Sequence, residues 1–348
     1  MKRLLVVGCF GDKTGRLDGQ IVKTRDIYEM LSSRKSKDVR LDMFNTLSVR
    51  DNPILLLSLF VKLLRCNTAI LIPADRNLTK FFPFLYILSK LARYEIIQLC
   101  VGGWQVDYFI GRGKWAAHPL QKKQSMKCKA FLPEIEKVNR ELKSLCHFTN
   151  CEVFPNFRRN FPVISHVNSS KELRLVWLSR INKEKGYDTV FNLADRIEKE
   201  GLKITITFYG KVEEASEKEF NGLVERHQGV VKYEGQLPSE KIAKTLCDYD
   251  VMVLPTKYYT EGFPGTVLDA YISGLPVVAT EWMHAREFIE EGVSGFVVPF
   301  ENPQQEFDKR ILEMCNDRAL LSRLKQNARE KTKFYTEDRA WNVIKKYL

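Results

Sequence analysis

The chain is expected to fold as two tandem α/β halves, each around a mostly parallel sheet, and three observations carry that expectation. Short apolar runs of strand length alternate with longer segments of helical periodicity, the order that yields a parallel sheet covered by helices. The alternation breaks at a polar, Ser-rich stretch, "HVNSSKE" (166–172), and then restarts. The length, 348 residues, also exceeds the size at which a single hydrophobic core stops growing.

"RLLVVGCF" is a continuous apolar run with a glycine near its end, as in a buried parallel strand that feeds a loop. The loop "GDKTGRLDGQ" leads into "IVKTRDIYEMLSS", where Ile21, Thr24, Tyr28 and Leu31 recur at helical spacing. Further strands are expected at "AILIPA" (69–74) and "EIIQLCVGG" (95–103), with helical patterns between them. Beyond the Ser-rich stretch, strands are expected in "LRLVWLSR", "KITITFYG", "VVKYEG", "DVMVLPT", "LPVVAT" and "GFVVPF". The architecture is therefore two Rossmann-like domains, 1–165 and 166–335. The tail "DRAWNVIKKYL" reads as a final helix within 336–348, free to pack back onto the first domain.

Composition narrows the class. Hydrophobic residues make up 44% and charged residues 28%, an ordinary globular balance. The eight cysteines are scattered without a C-x-x-C pair, which argues for reduced thiols in a cytoplasmic protein. The five histidines lack ligand spacing, so no structural zinc is expected. The apolar start is too short for a secretory leader and reads as the first strand. The longest apolar stretches, "NPILLLSLFV" and "FFPFLYILS", have about half the length needed to span a bilayer. For each of these, core packing is the expected role.

Charge is unevenly distributed. Residues 1–165 hold 28 Lys+Arg against 14 Asp+Glu, a net +14, and the remainder holds 27 against 29. The first half is therefore expected to face something anionic. Within it, "GRGKWAAHPLQKKQSMKCK" (111–129) carries six cations and no acid. Nucleic acid is a weaker candidate than anionic lipid or a phosphorylated substrate. No RNA or DNA module appears, and aromatic residues are not interleaved with the basic run as a stacking platform needs.

Three segments carry chemistry. The first loop, with Gly8, Gly11, Gly15 and Gly19, is neither a Walker A motif nor G-x-G-x-x-G, yet brings backbone N–H groups within reach of an anion. In "LSRINKEKGYD" (178–188), Arg180 and Lys185 lie around a tight loop closed by Gly186, after a strand of the second domain. Two cations at such an edge suit a diphosphate. In "TEGFPGTVLDAYISGLPVVAT" (260–280), Pro264 is expected to open a helix running to about Ser273. Glu261 would then stand just outside a positive helix end, with Asp269 inside the helix. Two acids so placed would grip opposite ends of one ligand rather than act as an acid/base pair.

These segments together resemble the retaining glycosyltransferases of family 4, the glycosyl transferases group 1. Glu261 followed by an acid eight residues on resembles that family's E-x-seven-E signature. "SRINKEKG" looks like its G-R-x-x-x-x-K-G, and "AREFIEEGVSGFVV" like its P-E-I-(I/V)-x-x-G-x-x-G, with Glu287 at the acid position. The resemblance implies a GT-B architecture of two Rossmann-like domains with a donor cleft between them. It implies a nucleotide-diphosphate sugar (UDP- or GDP-linked) as donor, no metal or other cofactor, and transfer with retention to a hydroxyl.

By the same likeness Glu261, Arg180 and Lys185 are the catalytic residues. Gly262, Phe263, Pro264, Gly265, Thr266 and Asp269, with Gly15 and Gly19, would bind the donor. Gly102, Gly103 and Trp104 would lie on the acceptor side. The implied acceptor is a lipid-diphosphate saccharide in polysaccharide biosynthesis, which places the protein in the cytoplasm or on the inner face of the cell membrane, against anionic lipid. Two alternatives compete: a basic nucleic-acid-binding protein, and a catalytically idle GT-B partner subunit. The second draws on two departures from the family pattern. Asp269 stands where the family has Glu, and "CVGGWQVDYF" has no histidine where the family has one facing the reaction.

Overall fold

A computed structural model describes residues 1–11, 19–73, 76–112, 117–159 and 172–348. The chain divides into two compact units, Met1–Arg159 with Tyr335–Leu348, and Asn160–Phe334. The Ser-rich stretch expected at the boundary lies almost wholly outside the described residues, as does Gly15.

The first unit contains β1 (Lys2–Gly8), β2 (Val39–Asn45), β3 (Thr68–Leu71), β4 (Glu95–Leu99) and β5 (Ala130–Leu132) in one sheet of order β2-β1-β3-β4-β5. Every pairing is parallel. Alternate residues serve opposite faces. Val6, Ile70 and Ile97 join one apolar core, while Leu5, Val7, Ala69, Leu71 and Ile96 join the other. Burial on both faces explains why these strands are unbroken apolar runs.

The second unit contains β6 (Leu173–Leu178), β7 (Ile204–Tyr209), β8 (Val231–Tyr233), β9 (Val251–Leu254), β10 (Val277–Thr280) and β11 (Gly295–Val298). Their order is β11-β10-β9-β6-β7-β8, again all parallel. Chain direction across the sheet reverses between β6 and β9. Open parallel sheets bind ligands outside the carboxyl ends of the strands at such a reversal.

Helices cover the faces, and two depart from expectation. Residues 55–65 and 76–92, expected to pack in the core, do so along one side only and leave large apolar side chains exposed on the other. The helix expected from Pro264 runs from Gly265 to Ile272, and Pro264 is its N-cap in an extended conformation.

The last helix, Glu337–Ile344, belongs to the first unit. Ala340 and Ile344 are fully buried in the core that contains Val6 and Ile70. Glu337 is gripped by Arg34 at 2.7 Å and by Arg159 at 2.7 Å. Partial burial pushes the Glu337 carboxyl up, but the hydrogen bonds from Arg159 and Arg34 outweigh it and hold the group below the usual carboxylate range. A depressed folded pKa contributes stability above the unfolded value, and that stability is lost as pH falls through the folded value. Glu337→Gln is therefore expected to destabilise the first unit by about 1–2 kcal/mol at neutral pH. The difference from the parent closes in acid, as read by denaturation at pH 7 and pH 3. A gap that persists unchanged at low pH would contradict the ion-pair account.

Candidate functional site

The residues singled out in the second unit come from loops at the β6/β9 reversal. After β6 the chain passes Ser179 and Arg180 and closes a single 3₁₀ turn, Lys183–Lys185. Asn182 caps that turn, its side-chain oxygen accepting from the Lys185 N–H at 3.0 Å. Gly186 follows at φ +79°, and a Cβ there would stand 1.9 Å from the carbonyl oxygen of Pro255, just after β9. Only glycine permits that approach. The two loops are then joined directly, with the Lys257 N–H donating to the Glu184 carbonyl at 2.8 Å.

This stitching brings Lys185 and Glu261 together. The Lys185 Nζ lies 2.6 Å from Glu261 Oε2, and both side chains are largely buried, 11% and 16% exposed. The same ammonium sits 5.9 Å from the centre of the Tyr258 ring. Arg180 is oriented otherwise. It lies two residues past the end of β6, is half exposed and pairs with Glu213 at 2.9 Å. The two cations expected to act together are thus each engaged by a different carboxylate.

Gly262 and Phe263 lead into the helix Gly265–Ile272, whose first turn holds no acid. Its leading N–H groups, including those of Gly265 and Thr266, are the positive end of the helix. Phe263 is buried, its ring stacked on Phe288 with centroids 4.0 Å apart and planes 7° apart. That stack anchors the Gly262–Phe263 backbone to the short helix Ala285–Phe288, which carries Glu287. Asp269 is 7% exposed, on the inward side of its helix rather than on a solvated face. Beside the site Glu281 and Arg286 pair at 2.6 Å, and that hydrogen bond holds the Glu281 carboxyl below its usual range.

In the first unit Gly19 opens the helix Gly19–Arg34 that follows the glycine loop. Gly102, Gly103 and Trp104 follow β4. The Gly102 N–H donates to Glu134 Oε1 at 2.9 Å, and the other oxygen of Glu134 pairs with Lys23. Lys23 and Glu134 are each 3% exposed as side chains, so this pair ties the helix Gly19–Arg34 to the loops after β4 and β5 from within. Sequence reasoning missed it. The available signal was Lys23 at i−4 from Ile27, on the inward stripe of its helix. Trp104 meets Tyr108 edge-on at 5.3 Å.

Residues 163–331 match the family Glycosyl transferases group 1. WcaL of Salmonella typhimurium, named as a colanic acid biosynthesis glycosyltransferase, is 29% identical over 166 residues, 46% of this chain and 40% of the relative. The amylovoran biosynthesis glycosyltransferase AmsK of Erwinia amylovora is 30% identical over 134 residues, 36% of this chain and 32% of the relative. The chain thus spans less than half the length of these curated relatives. Over the whole chain, the crystal structure of Anabaena HepE with UDP superimposes with a TM-score of 0.73 at 14% identity, covering 99% of both chains. The fold is that of the GT-B glycosyltransferases: two α/β units, each with a parallel Rossmann-like sheet.

Proposed function

We propose that the protein is a glycosyltransferase that moves a hexose-type sugar from a nucleotide-diphosphate sugar to a hydroxyl acceptor, with retention of configuration and without a metal. The observation that carries this reading is the buried Lys185–Glu261 pair, 2.6 Å apart, beside an acid-free helix N-terminus at the switch point of the second sheet. An anionic leaving group has there a fixed cation and a positive helix end, and the transferred sugar has a carboxylate for its hydroxyls.

In this reading Lys185, Arg180 and the N–H groups of Gly265 and Thr266 stabilise the departing diphosphate. Arg180 would exchange its exposed partner Glu213 for a phosphate oxygen, a small cost at a half-exposed site. Glu261 and the backbone of Gly262 and Phe263 hold the sugar, Pro264 sets the helix start, and Asp269 takes the ribose. Gly15 and Gly19 of the first loop contact the donor, and Gly102, Gly103 and Trp104 serve the acceptor side. The likeness to HepE, solved with UDP, supports a uridine donor, and the names of WcaL and AmsK support a role in surface polysaccharide synthesis. A lipid-diphosphate saccharide is the acceptor of this reading.

A panel of UDP- and GDP-sugars scored by thermal unfolding tests it. One donor at about a hundredfold excess over its Kd is expected to stabilise the protein by about 2.7 kcal/mol. Loss of that stabilisation is expected in Lys185→Ala. No stabilisation by any nucleotide sugar would end the proposal, and stabilisation without turnover on any hydroxyl acceptor would favour an idle partner subunit.

A further inference from the structure

The first unit holds a pocket whose polar walls are only partly satisfied from within. It lies at the carboxyl ends of β3 and β4, the edge at which open parallel sheets take ligands, and Trp104 of the acceptor-side segment is one of its walls. Leu71, Phe82, Phe109 and Phe131 make much of the remainder apolar. The free space is about 30 Å³, room for roughly two or three heavy atoms.

Into this apolar setting the chain places side-chain amides. Gln98, near the end of β4, and Gln105, in the short helix Gln105–Ile110, both line the pocket and are 6% and 2% exposed. Gln105 donates from Nε2 to the Val101 carbonyl at 3.0 Å, and its Oε1 accepts from none of the described residues. Gln98 Nε2 makes long contacts, 3.5 Å to Ser125 Oγ and 3.5 Å to Cys128 Sγ. Neither is short enough for a full hydrogen bond. The neighbouring Tyr108 hydroxyl, by contrast, donates to Gln121 Oε1 at 2.6 Å. A buried acceptor without a donor costs stability that Leu or Met at position 105 would avoid.

The unmet groups define the occupant. One oxygen needs a donor, one N–H needs a better acceptor, and the walls need an apolar group of a few atoms. A secondary amide that bears a methyl group supplies all three: its N–H for Gln105, its C=O for Gln98 and its CH₃ for Leu71 and the phenylalanines. A hydroxyl would meet the amides and leave the walls uncovered, and an alkyl group would do the reverse. Among sugars, the N-acetylated amino sugars carry such a group. The geometry points to the acetamido group of an N-acetylhexosamine as what this pocket reads, and so to an acceptor that ends in such a sugar. This rests on the reading of Gly102–Trp104 as the acceptor side, and the choice of donor is independent of it.

Saturation-transfer NMR of the full chain with two matched probes, methyl N-acetyl-β-glucosaminide and methyl β-glucoside, tests it. The acetamido probe is expected to bind about tenfold more tightly, with its acetyl methyl protons the most saturated. Gln105→Met keeps the side-chain length and removes the oxygen. It is expected to lower the affinity of the acetamido probe about tenfold, leave that of the glucoside unchanged, and hold or raise the melting temperature. Ser125→Leu, which fills the space, abolishes the preference. The inference is overturned if the two probes bind alike, if neither binds, or if saturation concentrates on the ring protons. It also falls if Lys185→Ala, rather than Gln105→Met, removes the preference, since the donor site would then be what reads the amide. Probe binding needs no turnover. Transfer that fails while Gln105 still governs the preference removes the transferase proposal and leaves the pocket. Transfer that proceeds equally to acceptors with and without the acetamido group does the reverse.

Discussion

On the proposed donor site, Glu261→Ala is expected to lower kcat/KM for sugar transfer by about 10³, and Glu261→Gln by about 10². The carboxylate is largely buried and 2.6 Å from the Lys185 ammonium, so its charge acts where water screens it little. Glutamine keeps the shape and one acceptor oxygen but not the charge, which is why it retains more activity than alanine. Either change leaves Lys185 largely buried without its carboxylate, and a stability loss of about 1–3 kcal/mol accompanies it. Measuring the melting temperature beside the kinetics separates the two effects. If Glu261→Gln keeps transfer within about threefold of the parent, Glu261 does not hold the sugar and the site assignment falls.

Gly186→Ala produces the largest expected loss of stability, about 3–5 kcal/mol. Part of that, about 1–2 kcal/mol, is the left-handed backbone at φ +79°, which any side chain resists. The rest comes from the Cβ, placed 1.9 Å from the Pro255 carbonyl oxygen, well inside contact distance and against backbone that cannot rotate away. Relief requires the β6 and β9 loops to separate, which would lengthen both the Lys257–Glu184 backbone hydrogen bond and the Lys185–Glu261 pair. Urea denaturation is therefore expected to show the loss, and donor-induced stabilisation is expected to fall with it. A loss below about 1 kcal/mol would mean that the loops are not held in register by this contact.

Much of this was readable from the residues because burial writes itself into composition. β6, β9 and β10 are covered on both faces, so "LRLVWL", "VMVL" and "VVAT" admit almost nothing polar. β2 escaped notice for the converse reason. It lies at the sheet edge, and "VRLDMFN" mixes charges into its apolar positions. β5 has only three residues, too few for any period to register. At the site, the Lys185–Gly186 step and the interval from Glu261 to Asp269 are each local and therefore visible, whereas Lys185 meets Glu261 across 76 positions of chain. That Arg180 turns to Glu213 depends on a residue 33 positions away, and that Glu134 receives Gly102 and Lys23 depends on strand order. The two apolar helices show the limit most plainly, since an apolar stripe reads the same whether protein or lipid will cover it.

The return of the final helix to the first unit has a consequence for the order in which the molecule is made. Ala340 and Ile344 fill the same core as Val6 and Ile70, but the whole second unit is translated between them. At the usual rate of synthesis, the first unit waits about 10–35 s on the ribosome for the helix that closes it. The second unit, contiguous in the chain, has everything it needs before then. Synthesis therefore favours the later half completing first, while the earlier half still lacks the helix that fills part of its core.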